Sequence, residues 1–216
     1  MCTRYISPDQ AAIERAWEIG RRNQPKWARD VFPRALGPFL RLDTSGQLDL
    51  IVGTWGLIPT WSKTPSLKYS TQNCRSEEAA GKPTFKDAWR LGQRCIIPAV
   101  SFDEPCWETG KNVWWRFQRA DGQPWGLAGL WNTWPDRSTG EIVESYTMLT
   151  VNADSHPIMN RMHKPDPKLP PDQQDKRSIV SIEQADLAQW LQGGVAEAAA
   201  LLAPPAAELI DGWPVT

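Results

Sequence analysis

Cys2 directly follows the initiator methionine. A side chain that small in second place normally allows Met1 to be removed, which predicts a mature chain that begins with cysteine. Such an end is a 1,2-aminothiol. An α-amine titrates near about 7.7–8.0 and a thiol near about 8.5, so at neutral pH part of the amine is already uncharged, and the two atoms can attack one carbonyl in turn. Position alone also fits a small residue at a frayed end. Asn73-Cys74-Arg75-Ser76-Glu77 gathers an amide, a guanidinium and a carboxylate in a stretch without periodicity. It reads as a loop or strand edge, and a solvated loop has the same composition. Phe102-Asp103-Glu104-Pro105 follows an apolar strand and sets an acid at its mouth. Partial burial there would raise the carboxyl toward general acid–base use, although exposed turn carboxylates are the commoner case. Both histidines of the chain, His156 and His163, fall in one short segment, where a loop histidine is more often a hydrogen-bonding residue than a catalyst.

These residues need a scaffold. Ser7-Pro8-Asp9-Gln10 reads as a helix start with Ser7 as cap, and Ile13, Ala16, Trp17 and Gly20 then share one face of a helix of about fifteen residues ending near Arg21-Arg22-Asn23. Residues 47–53 alternate as a strand, and Trp55-Gly56-Leu57-Ile58-Pro59 leaves it. Residues 85–90 suggest a short helix closed by Gly92. Residues 94–100 form a buried apolar run broken by Pro98. Further strands are expected at 113–118, 125–131, 146–151 and 177–182, separated by turn clusters such as Asp121-Gly122. Lys164 to Asp175 is a Pro- and Asp-rich loop. Ser181 and Gln184 are expected to cap a last helix carrying Leu187, Trp190 and Leu191 and halted at Gly193-Gly194, with a further Ala-rich helix possible over 195–203. No repeat and no Gly/Ser linker divides the chain. The fold class expected is α+β: a single domain over 1–216 with a mostly antiparallel, barrel-like sheet and flanking helices, in which 193–216 forms a C-terminal extension.

Composition limits the options. The 216 residues carry Lys+Arg 24 against Asp+Glu 25, a formal net charge of -1, so any nucleic-acid site is a local basic patch. The first ten residues lack a secretory signal's apolar stretch, and no window approaches the roughly 20 apolar residues that span a bilayer, which predicts a cytoplasmic protein without membrane contact. Cys2, Cys74, Cys95 and Cys106 show no CxxC spacing, so reduced thiols are expected. With two histidines and no paired-ligand spacing, neither a metal nor a cofactor is expected. Trp 13 stands beside Tyr 3 and Phe 5; most of these rings should pack, while a few could stack on unpaired bases.

Taken in order, the motifs resemble those of the SRAP family, the SOS response-associated peptidase-like proteins that react with abasic sites in single-stranded DNA. Met1-Cys2-Thr3-Arg4 is similar to the family's Met-Cys-Gly-Arg opening. Trp55-Gly56-Leu57-Ile58-Pro59-Thr60-Trp61 resembles its WGL(I/V)PxW segment, and Asn73-Cys74-Arg75-Ser76-Glu77 its NARxE segment. The run from Asp87-Ala88-Trp89 through Cys95-Ile96-Ile97-Pro98 to Phe102-Asp103-Glu104 resembles its DAW helix, buried strand and following acid. The likeness extends to about residue 192. Thr3 stands where the family has glycine, Cys74 where it has alanine, and the histidine motif His-x-Arg-Met-Pro is altered. Aligning on the 177–182 strand selects His163, with 164–175 as an insertion; His156 is the runner-up.

The resemblance implies a covalent reaction. Cys2 would supply amine and thiol to an abasic-site aldehyde and close a thiazolidine. Glu104 would assist sugar opening and proton transfer, His163 would move protons, and Asn73 would orient the amine. Arg4, Arg75 and Arg161 would meet flanking phosphates, and Trp55 would stack on a base or wedge the strand. The implied partner is single-stranded DNA containing abasic sites, met by a monomer, with β-elimination as a side reaction. Two other classes stay open: an N-terminal-cysteine amidohydrolase or peptidase, and a noncatalytic single-strand binder.

Overall fold

The computed structural model describes residues 2–20 and 23–215. In chain order they form β1 (Tyr5–Ile6), α1 (Gln10–Ala16), β2 (Asp30–Val31), β3 (Leu36–Leu42), β4 (Leu48–Trp55), β5 (Asn73–Arg75), α2 (Lys86–Arg90), β6 (Arg94–Ala99), β7 (Ser101–Cys106), β8 (Val113–Arg119), β9 (Trp125–Pro135), β10 (Ile142–Asn152), β11 (Arg177–Ile179), α3 (Leu187–Gln192), α4 (Val195–Ala199) and β12 (Ile210–Pro214). Five strands close on themselves in the order β9-β10-β4-β3-β6-β9, antiparallel except where β10 runs parallel to β4. This is the expected α+β domain with a barrel-like, mostly antiparallel sheet. Strands β5 and β11 attach to β10, and a second sheet runs β12-β8-β7-β1-β2.

Strand alternation explains the long apolar runs. Along β3, Phe39 enters one hydrophobic cluster and Leu40 the other; Ile97 and Ile96 of β6, and Met148 and Leu149 of β10, divide in the same way. A strand buried on both faces has no polar side to present, so it reads as continuous hydrophobicity rather than alternation. One cluster lies under the helices and holds Ile13, Trp89 and Trp190. The other joins the closed strands to the second sheet through Tyr5, Phe102, Phe117 and Trp125. The Tyr5 and Tyr146 hydroxyls meet there at 2.5 Å, and Gly37 leaves them room, since a Cβ at that position would collide with both oxygens.

Several expectations about elements differ. Helix α1 has seven residues, not about fifteen, and its cap is Asp9, whose carboxylate accepts from the Ala12 N–H at 2.8 Å. Ser7 is occupied elsewhere: its hydroxyl donates to the Pro8 carbonyl and accepts from the Trp27 indole, each at 2.9 Å. The helix has ended before Glu18, whose φ is 54; Arg21 and Arg22, near its expected end, lie outside the described residues, as does Met1. Ser181 caps nothing, because it bridges to Leu127 while Ile182 donates to the Gly126 carbonyl at 2.8 Å. Helix α3 therefore starts at Leu187. Its C-terminal end is held by the buried Arg94, which donates to the Trp190 and Gly193 carbonyls, a favourable place for a cation at a helix terminus. Pro98 does not break β6, which continues to Ala99 opposite Trp125.

Candidate active site

Strand pairing assembles the site. Tyr5 and Ile6 of β1 pair antiparallel with Phe102 and Ser101 of β7. The preceding residues continue alongside that strand, Asp103 donating its backbone N–H to the Arg4 carbonyl at 3.0 Å. Cys2 thus arrives beside Glu104. From the other sheet, β5 pairs parallel with β10, Asn73 opposite Met148, and the Asn73 side-chain amide donates to the Cys2 carbonyl at 2.7 Å. The peptide at 73–75 is a strand rather than a loop. Glu104 lies inside β7 rather than at a strand's mouth, and is 1% exposed.

His163 comes from the long segment after β10. Its backbone N–H donates to the Pro105 carbonyl at 2.6 Å, Met162 bridges to Cys106, and its Nε2 lies 2.9 Å from Glu104 Oε2. Two contacts therefore bring the four residues together: Asn73 with Cys2, and Glu104 with His163. His156 stands apart. Its Nδ1 accepts from the Ile158 and Met159 N–H groups at 3.2 and 3.0 Å, and its Nε2 meets the Pro205 carbonyl at 3.0 Å.

Electrostatics separate the roles of these groups. Burial, then the nearby Glu104 charge, pushes the Cys2 thiol well above its ordinary value; the thiol proton rests on the Arg4 carbonyl, 3.3 Å from Sγ. Burial would also raise Glu104, but neighbouring positive charge and the His163 hydrogen bond outweigh it and leave its carboxyl below the usual range. At neutral pH the site holds a thiol and a carboxylate, an acid beside a base.

The three arginines are all engaged with acids. Arg4 pairs with Asp30 and, at 3.1 Å, with Asp103, its guanidinium lying over the Phe32 ring. Arg75 pairs with Asp175 at 2.6 Å. Arg161 grips Glu108 with two bonds of 2.8 and 2.7 Å and stacks over Trp115. Trp55 is fully buried, its indole N–H donating to the Gln72 carbonyl at 2.8 Å. In this conformation neither face of its ring is open to a base, so the expected stacking role does not fit its position. The exposed tryptophans are Trp61, Trp114 and Trp213.

Sequence reasoning passed over Asp103, which two arginines hold: Arg4, and Arg116 through bonds of 2.8 and 2.9 Å. It also passed over Arg177, a buried guanidinium paired with Glu77. Both sit in polar stretches whose burial only the tertiary pairing reveals. All four cysteines are free and buried, and among the described residues no helix is long and apolar enough to cross a membrane.

A two-sheet α+β domain with a buried cysteine next to a Glu–His pair has clear relatives. The model of the SOS response associated peptidase (SRAP) family matches residues 1–216, and the chain belongs to that family. A crystal structure of a protein from Bordetella bronchiseptica superposes with a TM-score of 0.87 at 33% identity, each chain covered over 100%. One from Bacteroides thetaiotaomicron gives 0.77 at 23% identity, with 100% of this chain and 92% of that one covered, a likeness of fold. Among curated proteins, the abasic site processing protein HMCES of Gallus gallus is 28% identical over 172 residues, 62% of this chain and 51% of the relative. That of Xenopus tropicalis is 31% identical over 141 residues, 55% and 41% respectively. The chain thus spans about half the length of these curated relatives or less.

Proposed function

We propose that this protein processes abasic sites in single-stranded DNA by bonding covalently to them through Cys2, once Met1 has been removed. One observation carries the reading. The buried Asn73 amide spends its N–H on the Cys2 carbonyl, and its Oδ1 accepts no hydrogen bond among the described residues. An acceptor left open beside Cys2 suits the amine of that same residue, with Glu104 and His163 alongside. The names of the Gallus gallus and Xenopus tropicalis relatives point to the same substrate.

The chemistry balances without a metal, a cofactor or an oxidant. The Cys2 amine adds to the aldehyde carbon of the opened sugar, and the carbinolamine loses one water to give an imine. The thiol then adds to the imine carbon while its proton passes to nitrogen, closing a thiazolidine. Because the resting sulfur is protonated, a base must take its proton; the ionised Glu104 would do so, with His163 relaying protons during dehydration. The imine also acidifies the sugar's C2 proton, which opens a minor β-elimination route. Arg4, Arg75 and Arg161 would receive flanking phosphates by exchanging their present carboxylate partners, and the protein would act as a cytoplasmic monomer.

The test is a denaturing gel of protein incubated with an abasic oligonucleotide, together with the intact mass of the protein. A shifted band that requires Cys2 and a mass lacking Met1 are expected. Cys2→Ala should abolish the band, and Cys2→Ser should leave an adduct that forms slowly or reverses, since the ring sulfur is gone. A complex lost on denaturation would favour a noncovalent binder, and peptide turnover without DNA would favour an amidohydrolase.

A further inference from the structure

Lys176 lies 13 positions beyond His163, and its ammonium donates to two successive carbonyls, Met162 at 2.8 Å and His163 at 2.6 Å. We propose that Lys176 is a positioning residue that holds His163 in register with Glu104 by gripping the peptide on which the imidazole is mounted. The inference deepens the reading above and rests on it for its effect on the reaction.

Three observations support this role. Lys176 is buried, and an ammonium inside a protein is costly unless its protons are used, so an apolar side chain would be the better filler if packing alone were needed. Secondly, His163 has φ 63, a left-handed conformation that costs a non-glycine residue about 1–2 kcal/mol and persists only where its surroundings impose it. Both backbone polar groups of His163 are tied down, N–H by the Pro105 carbonyl and C=O by Lys176, which leaves only side-chain torsions free beneath the Nε2 contact with Glu104.

Thirdly, the anchor is itself fixed. The Lys176 N–H donates to Asp154 Oδ1 at 2.8 Å, its carbonyl accepts from Ala153 at 2.7 Å, and the next residue opens β11 on β10. The histidine is therefore referenced to the closed strands through this lysine and not through the long loop between them. Asp154 is the acid facing the lysine, and the Cys106 thiol lies nearby; burial lowers the ammonium's pKa, and these two groups oppose that.

The experiment compares Lys176→Met, Lys176→Gln and Lys176→Arg by two readouts: the imidazole NMR signals of His163 without DNA, and the crosslinking rate with an abasic oligonucleotide. Lys176→Met should displace the His163 signals and slow crosslinking about tenfold or more while leaving DNA affinity unchanged. Lys176→Arg should restore both. In a His163→Ala background, Lys176→Met should cost nothing further, because the two act as one unit. If the methionine variant does not fold, Lys176→Gln, whose side chain is one bond too short to bring its amide to where the ammonium meets both carbonyls, answers the same question. A folded Met or Gln variant with unmoved His163 signals and a wild-type rate would overturn the proposal, as would equal slowing in the His163→Ala background. Should the wild type form no crosslink, the reading of the reaction fails, and the His163 signals alone still decide whether Lys176 positions the ring.

Discussion

The Asn73 side-chain amide holds the Cys2 carbonyl at 2.7 Å across 71 positions of sequence, so the end of the chain is fixed by a strand of the opposite sheet. Asn73→Ala removes the side-chain donor to that carbonyl and leaves a buried acceptor without it, at a cost of about 1–3 kcal/mol. The same change frees the reacting end and should slow crosslinking by about ten- to a hundredfold. Thermal melts and single-turnover gels check the two effects separately.

Glu104 carries a pH signature. Its folded pKa lies below the ordinary 4.5, so the stability it contributes is present above that value and is lost as pH falls through the lower folded one. A Glu104→Gln protein should therefore show a shallower loss of stability on that acid limb. Since the Glu104 charge raises the Cys2 thiol, the same substitution should make the thiol more acidic and yet slow the crosslink. A thiol titration set beside the rate measures both; a faster reaction would show that thiolate supply, and not the base, limits it.

His156 and His163 should part under mutation. His156 accepts from the Ile158 and Met159 N–H groups through Nδ1 and meets Pro205 through Nε2, so His156→Ala is expected to cost about 1–2 kcal/mol of stability with the crosslinking rate kept. His163→Ala should do the reverse. Melting curves and adduct kinetics on the two variants decide it, and a rate loss confined to His156→Ala would reverse the assignment.

Carboxylates occupy the arginines proposed for phosphate. Freeing Arg75 with Asp175→Asn, or Arg161 with Glu108→Gln, should tighten binding to undamaged single strands, and each guanidinium that then meets a phosphate steepens the salt dependence by about 0.7 in log–log slope. Asparagine tolerates the positive φ of 52 at position 175. Anisotropy titrations over a salt series provide the check; an unchanged slope would place those arginines away from the DNA.

Much of this arrangement was legible in the sequence, for physical reasons. Of the closed strands, β6 showed as an apolar run because both of its faces are buried, β4 showed by alternation, and β9 and β10 showed between turn clusters, whereas β3, with Gly37 and Pro38 near its start, gave no such signal. The helix closed by Gly92 showed because φ +69 suits glycine there. Cys2, Asn73, Glu104 and His163 were singled out by the likeness of the motif order to the SRAP family, because each residue alone also fits an ordinary structural role. Strand β7 was not read, since Asp103 and Glu104 have the composition of a solvated turn, and their burial depends on Arg116 and on His163, 59 residues further along. Lys176 was hidden for the same reason: a lysine among Asp and Gln reads as surface until the peptide it grips is known. Ser7 satisfied the local rule for a cap and lost the position because Trp27, 20 residues away, claims its hydroxyl.

The lysine clamp also bears on how this chain can vary. Because Lys176 closes onto His163, the two ends of residues 164–175 are stapled together, and that excursion is knitted internally by Gln174, whose amide reaches the Leu169 and Pro170 carbonyls. Lengthening a loop whose ends are already joined adds little closure entropy. The middle of the excursion is thus where peptide length should vary at least cost to the imidazole's position, so long as Asp175, which pairs with Arg75 and Arg177, is kept.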